Sequence, residues 1–366
     1  MKKILLVMTL VLASGLGYLA FAPAPVDPTS WTPEAWTGPK GTFDSNGRLG
    51  DVEVLHPELS GPETLVTGPD GAMYTGTSDG NIYRLAAGEG PQLIANTGGY
   101  PAGLVVLNDG TIVVADVQRG LVSISPQKTV RVVARGYGGR DFIFLNGAAL
   151  TPDGNVLFTE SSSRRPGTEN VYELLEHRPL GNLYLYDVKA GNVSLVAADF
   201  YFANGVVSSR DGSYALVTEF NAYRITKVYL DGARRGEKEV LISGLPGFPD
   251  NINLDPNHDI YWVGLTLPRI KSIDGGASQP LVRRMLSHLP LKFFDAKITA
   301  AQVVAIDPKG TVIDFLDKED APFPAISGAL AKDGFLYLSS AFGKGIGRIK
   351  IPAKLTESKS DKALPN

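Results

Sequence analysis

The chain lacks cysteine altogether, which removes disulfides, thiolate nucleophiles and cysteine-held zinc or iron. Histidine is scarce. The four copies, His56, His177, His258 and His288, fall in a lead-in loop, an insertion, an inner turn and a helical segment; only His177 is placed to reach a pocket. Charge imbalance is also missing: 35 basic and 38 acidic residues are interspersed, for a net charge of −3. Without a basic stripe, nucleic acid is not an expected partner. The composition is not that of a helical bundle either, because 41 glycines and 25 prolines are spread along the chain, as in folds of short strands joined by tight turns. What is present is 43% apolar residues over 366 positions, enough for one large core and a single all-β domain.

The N-terminus has the layout of an export segment. Lys2 and Lys3 precede an apolar run from Ile4 to Ala22, and a proline-rich PAPVDP follows. Residues 1–27 therefore read as a secretory signal or an uncleaved single-pass membrane anchor, placing the protein on the periplasmic or extracellular side. Residues 28–50 read as a linker, 51–352 as the domain, and 353–366 as a polar, disordered tail.

A unit of strand, Asp-Gly turn, strand and further strands recurs along the domain. Turns fall at Asp70-Gly71, Asp109-Gly110, Asp153-Gly154, Asp211-Gly212 and Asp333-Gly334, with Asn257-His258-Asp259 in the fifth unit. Six such units predict a six-bladed β-propeller, with the segment Asp51 to Leu55 completing the last blade. Two insertions break the period, between Glu160 and Asn182 and between Leu265 and Gln302. In the second, Leu281, Val282, Met285, Leu286 and Leu289 recur at helical spacing and predict a helix whose apolar face packs on a blade, or else forms a lid or membrane-contacting surface. The stretch GTSDG at Gly76–Gly80 fits the nucleophile-elbow pattern but joins two strands, so it reads as a hairpin turn.

Counting seven residues back from the inner turns reaches Glu63, Ala102, Asn146, Asn204 and Asp250. Equivalent positions at the start of innermost strands surround the axis of a propeller. Two carboxylates and two amides there, with Asn251 adjacent, make an oxygen-only set suited to Ca²⁺. Asp250 is the candidate catalytic base. Asp116 and Glu160, with Glu219, end second strands and are expected to rim the pocket, although Glu219 near Arg224 also reads as a structural ion pair. Tyr201, Phe202 and Phe248 precede the proposed ligands and read either as a substrate-binding apolar wall or as core.

The run from Arg178 through RPLGNLYLYDV, FANGVVSSRDG, LPGFPDNINL and WVGL resembles the strictosidine synthase-like proteins, within the six-bladed calcium propellers that include gluconolactonases and paraoxonases. The resemblance spans about Glu53 to Ile351. It implies a Ca²⁺ held by Glu63, Asn146, Asn204 and Asp250, with Asn251 as a further ligand, and an ester or lactone as small-molecule substrate. Two departures limit what it implies. The condensing synthase needs a glutamate in the last blade, and Ala321 to Arg348 contains none, so synthase activity is not expected. Where paraoxonases carry a catalytic histidine, this chain has Ala102. The competing expectation is a non-enzymatic propeller with structural calcium that binds a ligand or protein.

Overall fold

The computed structural model describes residues 2–35, 41–294 and 297–356; the expected disordered tail falls largely outside them. Six four-stranded antiparallel sheets succeed one another, giving the six-bladed β-propeller that the repeat predicts. Their innermost strands are Val66–Thr67, Pro101–Val106, Phe144–Leu150, Ala203–Ser208, Gly247–Leu254 and Gly328–Lys332. The ring closes as expected. Glu53–Ser60 pairs with Lys344–Lys350 as the outermost strand of blade six, Glu53 opposite Arg348 and Leu55 opposite Ile346. His56 therefore lies on this closing strand rather than in a loop.

The core is divided among the blade interfaces. Leu145, Val156, Phe158 and Tyr184 of blade three meet Val105, Val113 and Leu121 of blade two, and on its other side blade three presents Leu157, Leu183 and Phe200 to Val206, Val217 and Val228. A sheet sandwiched this way is buried on both faces, which is why the inner strands are apolar runs rather than alternating patterns. The Asp-Gly turns have the geometry their sequence demands; Gly154, for example, sits at φ 85°, a backbone region that favours glycine.

The other recurring glycines do a different job. Asn146-Gly147 and Asn204-Gly205 lie inside strands, not in turns. A Cβ on Gly147 would come within 2.6 Å of the Asn204 carbonyl oxygen, one on Gly205 within 2.6 Å of the Asp250 carbonyl oxygen, and one on Gly103 within 2.3 Å of the Asn146 carbonyl oxygen. Each of these glycines abuts the backbone of the corresponding residue in the next blade. The repeat of Asn-Gly thus records two constraints at once, an amide side chain and a backbone without a Cβ.

Both insertions leave their blades between the second and third strands, on the face where the innermost strands begin, and there they build a helical cap. Helix α1 (Lys2–Phe21), α2 (Asn170–Glu176), α3 (Lys271–Gly276) and α4 (Pro280–Leu286) belong to or adjoin it, with α4 against α1, α2 and α3. The expectation that α4 turns its apolar face inward to a blade is overturned. Leu281, Val282, Leu286 and Leu289 are exposed, and Arg283 is buried instead. Its guanidinium donates to the carbonyls of Leu175 and Ala277, each at 2.9 Å, and to that of Thr29. A guanidinium with several donors is suited to the orphan carbonyls at the ends of short segments, and with Arg283 placed among them the apolar stripe faces away from the blade.

Nor do the described parts of the expected linker, residues 28–35 and 41–50, hang free. Thr29 pairs with the Glu176 and His177 carbonyls, Trp31 with the Ala277 carbonyl, and further on Ser45 and Asn46 bind the Asp317 carboxylate while Arg48 pairs with Asp314 at 2.6 Å. Among the described residues no helix is long and apolar enough to cross a membrane; α1 nevertheless exposes Ile4, Leu5, Leu6, Met8 and Phe21.

Gly103→Ala is expected to lower stability by about 1–3 kcal/mol, the cost of overpacking a closed interface. Equilibrium urea denaturation measures it; a wild-type midpoint would contradict the interblade role of these glycines.

Candidate functional site

The residues found by the seven-residue offset are brought together. Glu63, Asn146, Asn204, Asp250 and Asn251 are all buried, and the backbone that carries them is tied across the ring. Ser339 Oγ donates to the Glu63 carbonyl at 2.8 Å, Ser327 Oγ donates to the same oxygen, and Asn251 Nδ2 reaches it at 3.2 Å. Thr218 donates to the Asp250 carbonyl and Thr159 to the Asn204 carbonyl. Hydroxyls on second strands thus pin the innermost strand of the following blade. Ser327, which begins blade six, was missed because the turn of that blade is one residue nearer; its Ser-Gly step is the available sequence signal.

The side chains are distributed unevenly among partners. Tyr100 donates from its phenol to Glu63 Oε2, and Thr266 donates to Asp250 Oδ2. Asn146 spends its amide nitrogen on Ser161 Oγ at 3.0 Å. The Oδ1 atoms of Asn146 and Asn204 are buried with no hydrogen-bond partner. Buried oxygens left this way are rare and costly, and two of them beside two carboxylates form an acceptor-only set with the chemistry of a hard-cation cage. Among the described residues no three His, Cys, Asp or Glu side chains cluster as a metal site; the donors here are half amide.

Burial, and then the charge of Asp250, pushes the Glu63 carboxyl up to about 8 despite the Tyr100 hydrogen bond. Burial likewise pushes Asp250 up to about 7, against hydrogen bonds from Thr266 and Asn204 that favour its ionised form. Two carboxylates this close and this dry resist holding two charges unless a cation joins them.

The other sequence candidates separate cleanly. Asp116 and Glu160 are tied into their own blades, and Glu219 shares that arrangement. Each is buried and accepts a backbone N–H from the start of its own blade: Tyr100 N at 3.2 Å, Ile143 N at 3.1 Å and Tyr201 N at 2.8 Å respectively. Glu160 also pairs with Arg140 at 2.6 Å and Glu219 with Arg224 at 2.7 Å. They are pins, and the repeated Thr-Glu at 159–160 and 218–219 is one device: threonine to the neighbouring blade, glutamate to its own. Arg140 comes from a small ribbon, Gly136–Tyr137 with Arg140–Asp141, that the period does not predict. GTSDG is a turn, as read.

Phe202 and Phe248 are core, in an aromatic chain from Phe144 through Phe202 and Phe220 to Phe248 with centroids 4.9–5.4 Å apart. Tyr201 turns the other way, toward the cap, where His177 is sandwiched between it and Trp31 at centroid distances of 4.6 and 3.8 Å. Burial, then Arg283 and Arg224, holds the imidazole down at about 3. His177 is a neutral stacking residue of the cap over blades four and five, and Trp31, from the presumed linker, was invisible as its partner.

Comparison with known proteins bears on the family and the fold. The strictosidine synthase family profile matches residues 146–233, and the profile for strictosidine synthase-like N-termini matches residues 41–85. The chain is 30% identical over 329 residues to the adipocyte plasma membrane-associated protein of Danio rerio, covering 82% of this chain and 78% of that protein. To the Rattus norvegicus protein of the same name it is 28% identical over 372 residues, covering 92% and 96%. This chain belongs to the strictosidine synthase-like family. Among solved structures it is similar in fold to a gluconolactonase of Xanthomonas campestris (TM-score 0.56, 15% identity, covering 90% of this chain and 97% of that one). It is likewise similar to regucalcin, a calcium-binding protein of Agrobacterium tumefaciens (TM-score 0.57, 16% identity, covering 81% and 91%).

Glu160→Ala is expected to destabilise the protein by about 1–3 kcal/mol, the cost of leaving the Ile143 N–H and its neighbouring donors without an acceptor, while leaving ligand affinity at the ring unchanged. Thermal melts with calorimetric titration separate the two effects; a large affinity loss would return Glu160 to the pocket.

Proposed function

We propose that the protein is a calcium-dependent hydrolase of a small ester or lactone. The observation that carries this reading is the pair of partnerless amide oxygens, Asn146 Oδ1 and Asn204 Oδ1, beside the buried Glu63 and Asp250 carboxylates. Glu63, Asn146, Asn204 and Asp250 would hold the ion, with Asn251 contributing at the edge of the set. Calcium bound there supplies a Lewis acid for the carbonyl oxygen of the substrate. Asp250 is the base: Thr266 donates to its Oδ2 and Asn251 Nδ2 lies 3.4 Å from its Oδ1, contacts that orient the carboxylate to take the proton of an attacking water. The ring of hydroxyl-pinned carbonyls holds these groups without reorganisation. Solved relatives in fold named as a gluconolactonase and as a calcium-binding protein support the substrate class and the ion.

A second reading, a ligand- or protein-binding propeller with structural calcium, has one observation in its favour. The Trp31–His177–Tyr201 stack and α2 to α4 cover the face on which the site opens. Calorimetry and activity assays separate the readings. Calcium binding with no turnover of lactones, aryl esters or phosphotriesters would favour the second.

Calcium is expected to raise the melting temperature, and the size of the rise to depend on pH. Because Glu63 and Asp250 titrate higher in the folded protein than in the unfolded chain, their contribution is present at about pH 4 and below. It is lost as pH rises through about 7 to 8. EDTA-treated protein should therefore lose thermal stability from about pH 5 to 8, whereas calcium-loaded protein should not. Asp250→Ala should abolish turnover; activity that survives it with metal still bound would exclude Asp250 as the base.

The reading extends to location. The apolar side chains exposed on α1, the adjoining apolar face of α4, and relatives named as plasma membrane-associated support an exported protein held to a membrane by α1, its cap toward the lipid. A chain beginning at Ala22, which keeps Val26 to Trp31 in the cap, is expected to leave the membrane fraction on flotation; persistence there would exclude α1 as the sole anchor.

A further inference from the structure

Blade two has no oxygen donor at its ring position: Ala102 is fully buried and contributes only a methyl group. Two residues earlier, Tyr100 crosses from blade two to blade one and donates its phenolic hydrogen to Glu63 Oε2. Its backbone is clamped on both sides. The Tyr100 N–H donates to Asp116 Oδ1 at 3.2 Å, and its carbonyl accepts from Val117 N at 2.8 Å. Asp116 Oδ1 is itself fixed by the N–H groups of Gln118 and Arg119 at 3.0 and 2.9 Å.

A phenol on so stiff a mount would not be needed merely to fill space, since a phenylalanine occupies the same volume. It supplies one directed hydrogen bond to one oxygen of one carboxylate, and the other ring acid, Asp250, is held without a phenol, by the Thr266 hydroxyl and by the Asn251 and Asn204 amides. Nor is Glu63 secured by its own strand, for it precedes Val66–Thr67, the shortest innermost strand of the six, in a segment without regular structure. Its carbonyl is held by blades five and six, and its carboxylate by blade two.

We propose that Tyr100 is the blade-two member of the ring, a positioning residue that holds Glu63 Oε2 so that the remaining carboxylate oxygen is presented to a divalent cation. The inference rests on the calcium reading above. Outer hydrogen bonds that orient a ligating carboxylate commonly govern affinity by 10- to 100-fold, whereas a bond that serves the fold alone leaves affinity untouched.

The test is calcium titration by calorimetry of the full chain, with Tyr100→Phe beside wild type. The substitution removes one oxygen from a side chain of unchanged volume, so the fold is kept, and thermal melts in EDTA confirm it. Tyr184→Phe is the control, because the Tyr184 phenol makes the same kind of bond to Glu160 Oε2 at 3.0 Å away from the ring. The expected result is a Kd weakened about 10- to 100-fold in Tyr100→Phe and unchanged in Tyr184→Phe. Wild-type affinity in Tyr100→Phe, with or without a lower melting temperature, overturns the proposal and leaves the calcium reading standing. A wild-type protein that binds no calcium overturns both.

Discussion

Two carboxylates, Glu63 and Asp250, are buried together at the centre of the propeller with hydroxyls and amides around them, and no arginine or lysine shifts either one. Everything nearby is arranged around that fact. A buried like-charge pair is among the most expensive things a fold can contain, and the structure bears it with hydrogen bonds from Tyr100 to Glu63 and from Thr266 and the Asn251 amide to Asp250. The amide oxygens Oδ1 of Asn146 and Asn204 stay without a hydrogen-bond partner beside them, the feature on which the proposed calcium reading rests.

The blade repeat delivers these groups by a simple rule. Innermost strands approach so closely that the residue after each of three successive ring positions is glycine, at 103, 147 and 205, and the carbonyl of the next ring residue fills the space a Cβ would need. Close approach makes the backbone of one blade a hydrogen-bond acceptor for the second strand of its neighbour, as with Thr159 and Thr218. Acids at the ends of those second strands, Asp116, Glu160 and Glu219, hold the strand starts. The scaffold is therefore polar at its centre and apolar between its blades, the reverse of a simple oil-drop core, and that polarity is what makes the axis a site.

The cap obeys different physics. It is assembled from segments far apart in the chain, residues 26–35, 163–180 and 269–290, and is held by arginines on carbonyls and by aromatic stacking rather than by β-ladders. Arg283 binds three of those carbonyls, and Arg165 joins Glu176 at 2.8 Å and the Pro25 carbonyl. Such contacts leave α4 with its apolar side outward, next to α1. A helix that looks conventionally amphipathic by its spacing is thus oriented by its buried cation.

The six-blade repeat, the closing strand and the ring donors at 63, 146, 204 and 250 were legible because each repeats or stands at a fixed offset from an Asp-Gly turn. A propeller converts equal offsets in sequence into equal places in space, so local counting sufficed. Tyr100, Ser327 and Trp31 were not legible, nor were the backbone bonds by which Asp116 and Glu160 hold their strand starts. Each of these acts across a blade boundary or through the backbone, where no period marks the partner. The outward face of α4 was misread for the same reason, since helical spacing shows that a face exists but not which neighbour competes for the other side. The chain by itself determined the ring and the oxygen chemistry at its centre; which side chains hold that chemistry in place was decided only when the blades closed and set residues far apart in sequence within hydrogen-bond reach.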